Sequence, residues 1–346
     1  MALAFPPVSL SVKERVQLTL SCRDADNLPR VDRAGEVHVD PETGIRVQYM
    51  HNGLRVEEGC YYGAWMTELI SALKGVHEPQ EEVVFDSILK HIPAQATMVE
   101  LGAFWSYYTI WFLMQQRGLG RGIGLEMDPA HLEKGRANAK LNGVDIELIL
   151  GRVGARNEVA APYMTESSGM QKIPTFGIEG LMHTAKVDRV DLLLCDAQGG
   201  EIDLLEGMQA SVSQGKIGVL VMSTHHHAIT GDPLTHQRAL ALIEGLGGYV
   251  RLEHDVAESY SGDGLIVADF DGSLDSWSPP SISYCRTSKS LFRDPLYDLA
   301  CSQSREKELV TKLGELSSDH SQDNEPFSGE NVQSKTVSSW WRRLIR

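Results

Sequence analysis

The chain has 346 residues, enough for one large domain or for a domain with an added lobe. With 42% hydrophobic and 23% charged residues, its composition is that of a soluble globular protein. The formal charge of -15, from 32 basic and 47 acidic residues, repels phosphate backbones and argues against a general nucleic-acid binder. The five cysteines, Cys22, Cys60, Cys195, Cys285 and Cys301, are scattered and form no C-x-x-C pair. They make neither a disulfide framework nor a zinc pattern. The opening MALAFPPVSLSVKER lacks the charge and apolar core of a signal peptide, and no apolar run is long enough to span a membrane. The expected compartment is the cytoplasm.

Residues 1–55 are polar and irregular, with turns between short strands; Asn52-Gly53 is a hairpin signal. Residues 59–75 read as an amphipathic helix with Trp65, Ile70 and Leu73 on its apolar side. A second helix is expected over 77–92, with Pro79 in its first turn and Glu81 and Glu82 at the positive end of its dipole. From residue 97 the pattern alternates. Strands are expected at 97–102, 121–126, 145–150, 190–196, 217–223, 248–254 and 263–270, with helices at 106–117, 129–142, 200–210 and 233–246. Helix-length spacers between the first five strands imply a parallel sheet with right-handed crossovers, so the fold class is α/β. The last two strands are separated by a short loop and should pair as an antiparallel hairpin. A short helix is expected near 295–315, and the polar stretch 317–335 reads as disordered. The terminal SSWWRRLIR is an aromatic-basic end, either a plain terminus or a weak peripheral contact with a membrane or a partner.

Three apolar runs end in acids: MVELGAFWSYYT (98–109), GLEMD (124–128) and VDLLLCDAQGGE (190–201). In open α/β sheets ligands bind at the carboxyl ends of the strands, so these acids mark a site for a nucleotide-like molecule with free hydroxyls. Gly102 permits a close approach of ligand to backbone, and the helix that follows points free N–H groups at it. Phe104 and Ser106 leave the turn too poor in glycine for a pyrophosphate cradle, which disfavours a nicotinamide-dependent oxidoreductase. Glu126, 24 residues after Gly102, is placed to accept hydrogen bonds from both hydroxyls of a ribose, or else to cap a helix with Asp128.

This layout resembles a class I (Rossmann-like) S-adenosylmethionine-dependent methyltransferase and, more closely, the FkbM family. The family's acid-x-Gly-Ala turn followed by Tyr-Tyr-Thr stands here as Glu100-Leu101-Gly102-Ala103 and Tyr107-Tyr108-Thr109. Its Asp-x-Gln-Gly-x-Glu signature stands as Asp196 to Glu201. The family has Asn and Gly where this chain has Phe104 and Ser106. The resemblance covers about residues 75–270 and implies S-adenosyl-L-methionine as cofactor. Glu100 would lie by the methionine part, Gly102 and Ala103 at the turn, Glu126 on the ribose, and Gly151, Arg152 and Val153 by the adenine. Asp196 would face the sulfonium. The implied domains are an N-terminal extension and cap (1–75), the methyltransferase domain (76–272) and a C-terminal tail (273–346).

Three histidines, His225, His226 and His227, follow the fifth strand. In an extended segment His225 and His227 share a side. With Asp196 they are candidates for a general base or for a divalent metal site (magnesium, manganese or zinc). The alternative is a turn fixed by histidine hydrogen bonds. His236 and Asp232 lie nearby in sequence. Tyr61, Tyr62 and Trp65 read mainly as packing residues and alternatively as a substrate mouth; Ser261-Gly262-Asp263 in the terminal hairpin reads as a tight turn and alternatively as a segment that reaches the substrate. The expected function is O-methylation of a hydroxyl on a sugar or related natural product, small molecule or glycan, with Asp196, His225 and His227 catalytic. The competing expectation is a non-catalytic cofactor-binding module of the same fold.

Overall fold

The alternation that begins at residue 97 becomes one seven-stranded sheet. In the computed structural model, which describes residues 8–9, 12–285, 292–293 and 295–322, its strands are β1 (Thr97–Leu101), β2 (Arg121–Glu126), β3 (Ile146–Leu150), β4 (Val190–Cys195), β5 (Ile217–Thr224), β6 (Tyr249–His254) and β7 (Gly264–Asp269). The spatial order is β6-β7-β5-β4-β1-β2-β3. β1 to β5 pair in parallel, whereas β7 runs antiparallel to both β5 and β6. The near-continuous apolar runs of β4 and β5 follow from burial on both faces. Alternate residues divide between two cores. Met98, Leu192 and Leu194 join one, and Val99, Leu193 and Cys195 the other.

The helices that cover these faces include α1 (Pro79–Leu89), α2 (Tyr107–Gln115), α3 (Pro129–Asn142), α4 (Ile178–Ala185), α5 (Glu201–Gly207) and α6 (Thr235–Gly245). The chain leaves β1 toward β2 and β3 on one side and returns to β4 and β5 on the other. The switch point is therefore the crevice between β1 and β4. There Cys195 pairs with Leu101, and the Asp196 N–H donates to the Leu101 carbonyl at 2.8 Å.

Ahead of the sheet lie a helix (Val12–Ser21) and a three-stranded meander (Val37–Val39, Arg46–Tyr49, Arg55–Glu57). Its second turn holds the expected Asn52-Gly53, with Gly53 at φ +87°. The helix expected over 59–75 is shorter, Ala64–Ala72, because Gly59, Tyr62 and Gly63 all take positive φ. Between β3 and β4 the sequence reading foresaw no strand. The structure places there an antiparallel hairpin, Glu158–Thr165 with Gly169–Phe176, whose second strand also pairs with Arg152–Val153.

Past β7, Leu274, Trp277, Ile282 and Cys285 are buried, and the Trp277 indole N–H donates to Ser87 Oγ at 2.8 Å. The chain divides into two compact units, residues 1–298 and 299–346. The expected C-terminal helix runs Pro295–Gln322, so the stretch read as disordered begins helical. The remainder, including SSWWRRLIR, lies outside the described residues. Among the described residues no helix is long and apolar enough to cross a membrane.

Candidate active site

The turn after β1 shows why its residue types matter. Gly102 sits at φ +84°, and a Cβ there would fall 1.9 Å from the Asp196 carbonyl oxygen. Two further positions, Phe104 (φ +36°) and Ser106 (φ +60°), are also left-handed. These are the positions where the FkbM pattern has Asn and Gly, residue types that tolerate this conformation. Phe104 is compensated by packing: its ring stacks on His131 at 3.7 Å and 8°. Ser106 is buried close under α3, where a Cβ on Gly135 would lie 2.4 Å from its hydroxyl.

The acids at the ends of β1 and β2 are held by backbone. Glu126 accepts from the Phe104 N–H at 2.9 Å on one oxygen and from the Asp128 N–H at 2.7 Å on the other. Burial raises its pKa while these donors pull it back. Glu100 accepts from the Thr109 N–H at 3.1 Å and from the Thr109 hydroxyl. Burial pushes Glu100 up to about 8 against those bonds.

Glu100, Gly102, Ala103, Glu126, Arg152, Val153 and Asp196 all wall one cavity of about 390 Å³. That size is ordinary for a small-molecule site. The residues suit the implied cofactor: two buried carboxylates with free lone pairs for hydroxyl or ammonium groups, and a turn whose backbone a side chain would block.

On the β4–β5 side the acids are held by side chains. His225 is buried, with Nε2 2.9 Å from Asp196 and Nδ1 on Glu201, itself fully buried. Asp263, just before β7, lies 3.7 Å from the same Nε2. Burial opposes charge on His225, but Asp263, Asp196 and Glu201 outweigh it and raise its pKa well above the ordinary value. Burial pushes Asp263 up to about 7, with His225 pulling the other way.

A parallel arrangement lies beneath α1. His77 is held between Glu82 at 2.6 Å and Glu78 at 3.2 Å, and the two acids overcome burial to raise it to about 10. The hydroxyls of Tyr107 and Tyr108 donate to Glu82 and Glu78. Glu81 and Glu82 stand in the first turn of α1, as expected of dipole partners, and both are buried. A His beside three acids in one helical turn was the available signal for this cluster.

The histidine reading requires correction. β5 ends at Thr224, so His225 and His227 do not share the side of a strand. His226 caps a short helix that begins at His227, its Nδ1 accepting from the Ala228 N–H at 3.2 Å. His225 has both nitrogens committed to carboxylates and is held protonated, which leaves it no lone pair for a general base. His236 bonds Thr224 and Glu253, and Asp232 pairs with Arg238. Among the described residues no group of three or more His, Cys, Asp or Glu is arranged to hold a metal ion. Asp196, His225 and His227 therefore do not fit the expected magnesium, manganese or zinc.

Tyr61 and Tyr62, read mainly as packing, line the cavity. Tyr61 stacks on Trp105 at 4.6 Å and 7°, and the Tyr62 hydroxyl meets the Gln198 amide at 3.5 Å.

A sheet ordered β6-β7-β5-β4-β1-β2-β3 with β7 reversed, and an acid-walled pocket at its switch point, defines a class I methyltransferase fold. Residues 88–248 match the methyltransferase FkbM domain, so this part of the chain is similar to that family. Among solved structures it is similar to precorrin-6y C5,15-methyltransferase from Geobacter metallireducens GS-15, at 16% identity and TM-score 0.35, over 54% of this chain and 87% of that one. It is also similar to M. capricolum TrmK in complex with S-adenosyl-homocysteine, at 13% identity and TM-score 0.36, over 54% and 67%. A third similar structure is a SAM-dependent methyltransferase from Aquifex aeolicus, at 9% identity and TM-score 0.33, over 54% and 89%. No curated protein matches the chain.

Proposed function

We propose that the protein methylates a hydroxyl oxygen on a sugar or related natural product. The observation that carries this reading is the pair of carboxylates on His225, of which Asp196 lines the cavity. The Asp196 and Asp263 side chains are 33% and 30% exposed, while the His225 between them is 2% exposed. A hydroxyl acceptor needs a partner for its proton as the methyl group arrives. Asp196, oriented by His225, would position the hydroxyl, and Asp263, its pKa raised to about 7, would take up the proton. Tyr61, Tyr62 and Trp105 offer aromatic faces for a ring-shaped acceptor.

When bound, S-adenosylmethionine supplies an electrophilic methyl group on a sulfonium. Glu100, Glu126 and the turn at Gly102 and Ala103 would fix its position, with Arg152 and Val153 at the adenine end. Alignment of the two reactants would then supply much of the rate. Residues 1–75 would act as an extension and cap on a catalytic domain spanning 76–272.

The test is transfer of a radiolabelled methyl group to a panel of glycosides. Wild type is expected to label hydroxyl-bearing glycosides. Asp196→Ala should lower turnover about 10²–10⁴-fold while S-adenosylhomocysteine still binds. Full turnover in Asp196→Ala would refute the assignment. Binding without transfer to any acceptor by wild type would favour a non-catalytic cofactor-binding module.

A further inference from the structure

The hairpin Glu158–Thr165/Gly169–Phe176 lies outside the seven-stranded frame, yet its tip reaches the cofactor cavity. Met164, Thr165 and Glu166 stand in the wall alongside Glu126 and Met127. Apolar burial holds the hairpin near its base, where Ile173 is buried and Phe176 packs on the core, whereas Val159, Met164 and Met170 are 90%, 67% and 59% exposed. Its base is anchored where Thr175 and Phe176 pair with Arg152 and Val153.

Its tip is tied down on Asp128. That residue is the N-cap of α3 and accepts from the Ala130 N–H at 2.9 Å, as an N-cap does. The same carboxylate also accepts from the Ser167 N–H at 2.5 Å, the Ser168 N–H at 3.2 Å and the Ser168 hydroxyl. The first turn of α3 adds His131, whose Nε2 lies 2.9 Å from Ser167 Oγ. Asp128 is 1% exposed, and its donors, with the Ser168 hydroxyl foremost, overcome burial to hold its pKa down at about 2, so it is charged at any working pH. A buried charge two residues from Glu126 thus gathers a segment about 40 residues further along the chain.

We propose that the hairpin tip is a wall of the cofactor site, with Met164, Thr165 and Glu166 against the cofactor. In this arrangement Asp128 is the positioning residue that seats the tip through Ser167 and Ser168 and so sets how fast the cofactor product leaves. The inference rests on the cofactor reading of the pocket and needs no knowledge of the acceptor. A small ligand enclosed on this side leaves when the tip lifts. The tip lifts by breaking charge-assisted hydrogen bonds, which are the strong ones.

The experiment is stopped-flow displacement of S-adenosylhomocysteine from the full chain, followed by the intrinsic tryptophan fluorescence, to which Trp105 in the cavity wall contributes. The double variant Ser167→Ala/Ser168→Ala keeps the backbone donors and removes both hydroxyls. It should raise the dissociation rate about tenfold, the scale of hydrogen bonds to a charged group. The melting temperature without ligand should fall by only a few degrees, the scale of one lost hydrogen bond to a buried charge, with the fold retained. Asp128→Asn keeps a good N-cap residue and removes the charge, so it should shift the rate in the same direction even if the double variant folds poorly. Unchanged dissociation rates in the folded variants would overturn the proposal. Failure of wild type to bind S-adenosylhomocysteine would instead overturn the cofactor reading, and the role of the hairpin with it.

Discussion

The two sides of the pocket hold their acids by different means. On the β1–β2 side, Glu126 is fixed by the N–H groups of Phe104 and Asp128, and Glu100 by Thr109. These partners lie in or beside the loops and the helix that follow the strands. On the β4–β5 side, Asp196 and Glu201 share His225 from another loop, and Asp263 approaches from the far hairpin. The first arrangement suits a ligand presented to backbone turns. The second is a side-chain network whose members depend on one another, and it gathers three carboxylates around one imidazole.

This contrast is broken most severely by removing the shared imidazole. His225→Ala leaves Glu201 buried without its cationic partner. Loss of one member of a buried ion pair costs about 3–5 kcal/mol, so denaturant unfolding should show a drop of that order. A drop under about 1 kcal/mol, the scale of an exposed pair, would mean that the network is loosely held.

A smaller effect should come from the other side. Glu100 sits at about 8 because of burial, so it is largely protonated at pH 7. A cationic ligand beside it lowers that value and expels the proton. Cofactor affinity should therefore rise with pH and level off above about 8. At pH 7, calorimetric titrations with S-adenosylhomocysteine in buffers of different ionisation enthalpy should report release of nearly one proton. Proton uptake, or none, would place the ammonium of the ligand away from Glu100.

The same contrast explains what the sequence disclosed. The seven strands and the reversed last strand follow from apolar runs and spacer lengths, which are local signals. Glu100, Gly102 and Glu126 could be placed on the cavity wall because position at strand ends is itself a local signal. The burial of Glu81 and Glu82 and the approach of Asp263 to His225 depend on which elements fold against them, and no local pattern discloses either. His225 and His227 were paired by strand geometry that stops one residue too soon, at Thr224. The inserted hairpin left a signal that went unused: Ser168-Gly169 between two stretches of strand formers. Phe104 and Ser106 look like departures from a motif, yet both keep the left-handed backbone that the motif requires.

The most direct measurement is the dissociation constant of S-adenosylhomocysteine for Glu126→Ala and Asp196→Asn, determined side by side. If the two sides have separate duties, Glu126→Ala should weaken binding about 100-fold, from loss of hydrogen bonds to a buried carboxylate. Asp196→Asn should stay within about threefold of wild type, less than the loss of one ordinary hydrogen bond. Equal losses in both variants, or none in Glu126→Ala, would contradict the division of the pocket into a cofactor side and an acceptor side.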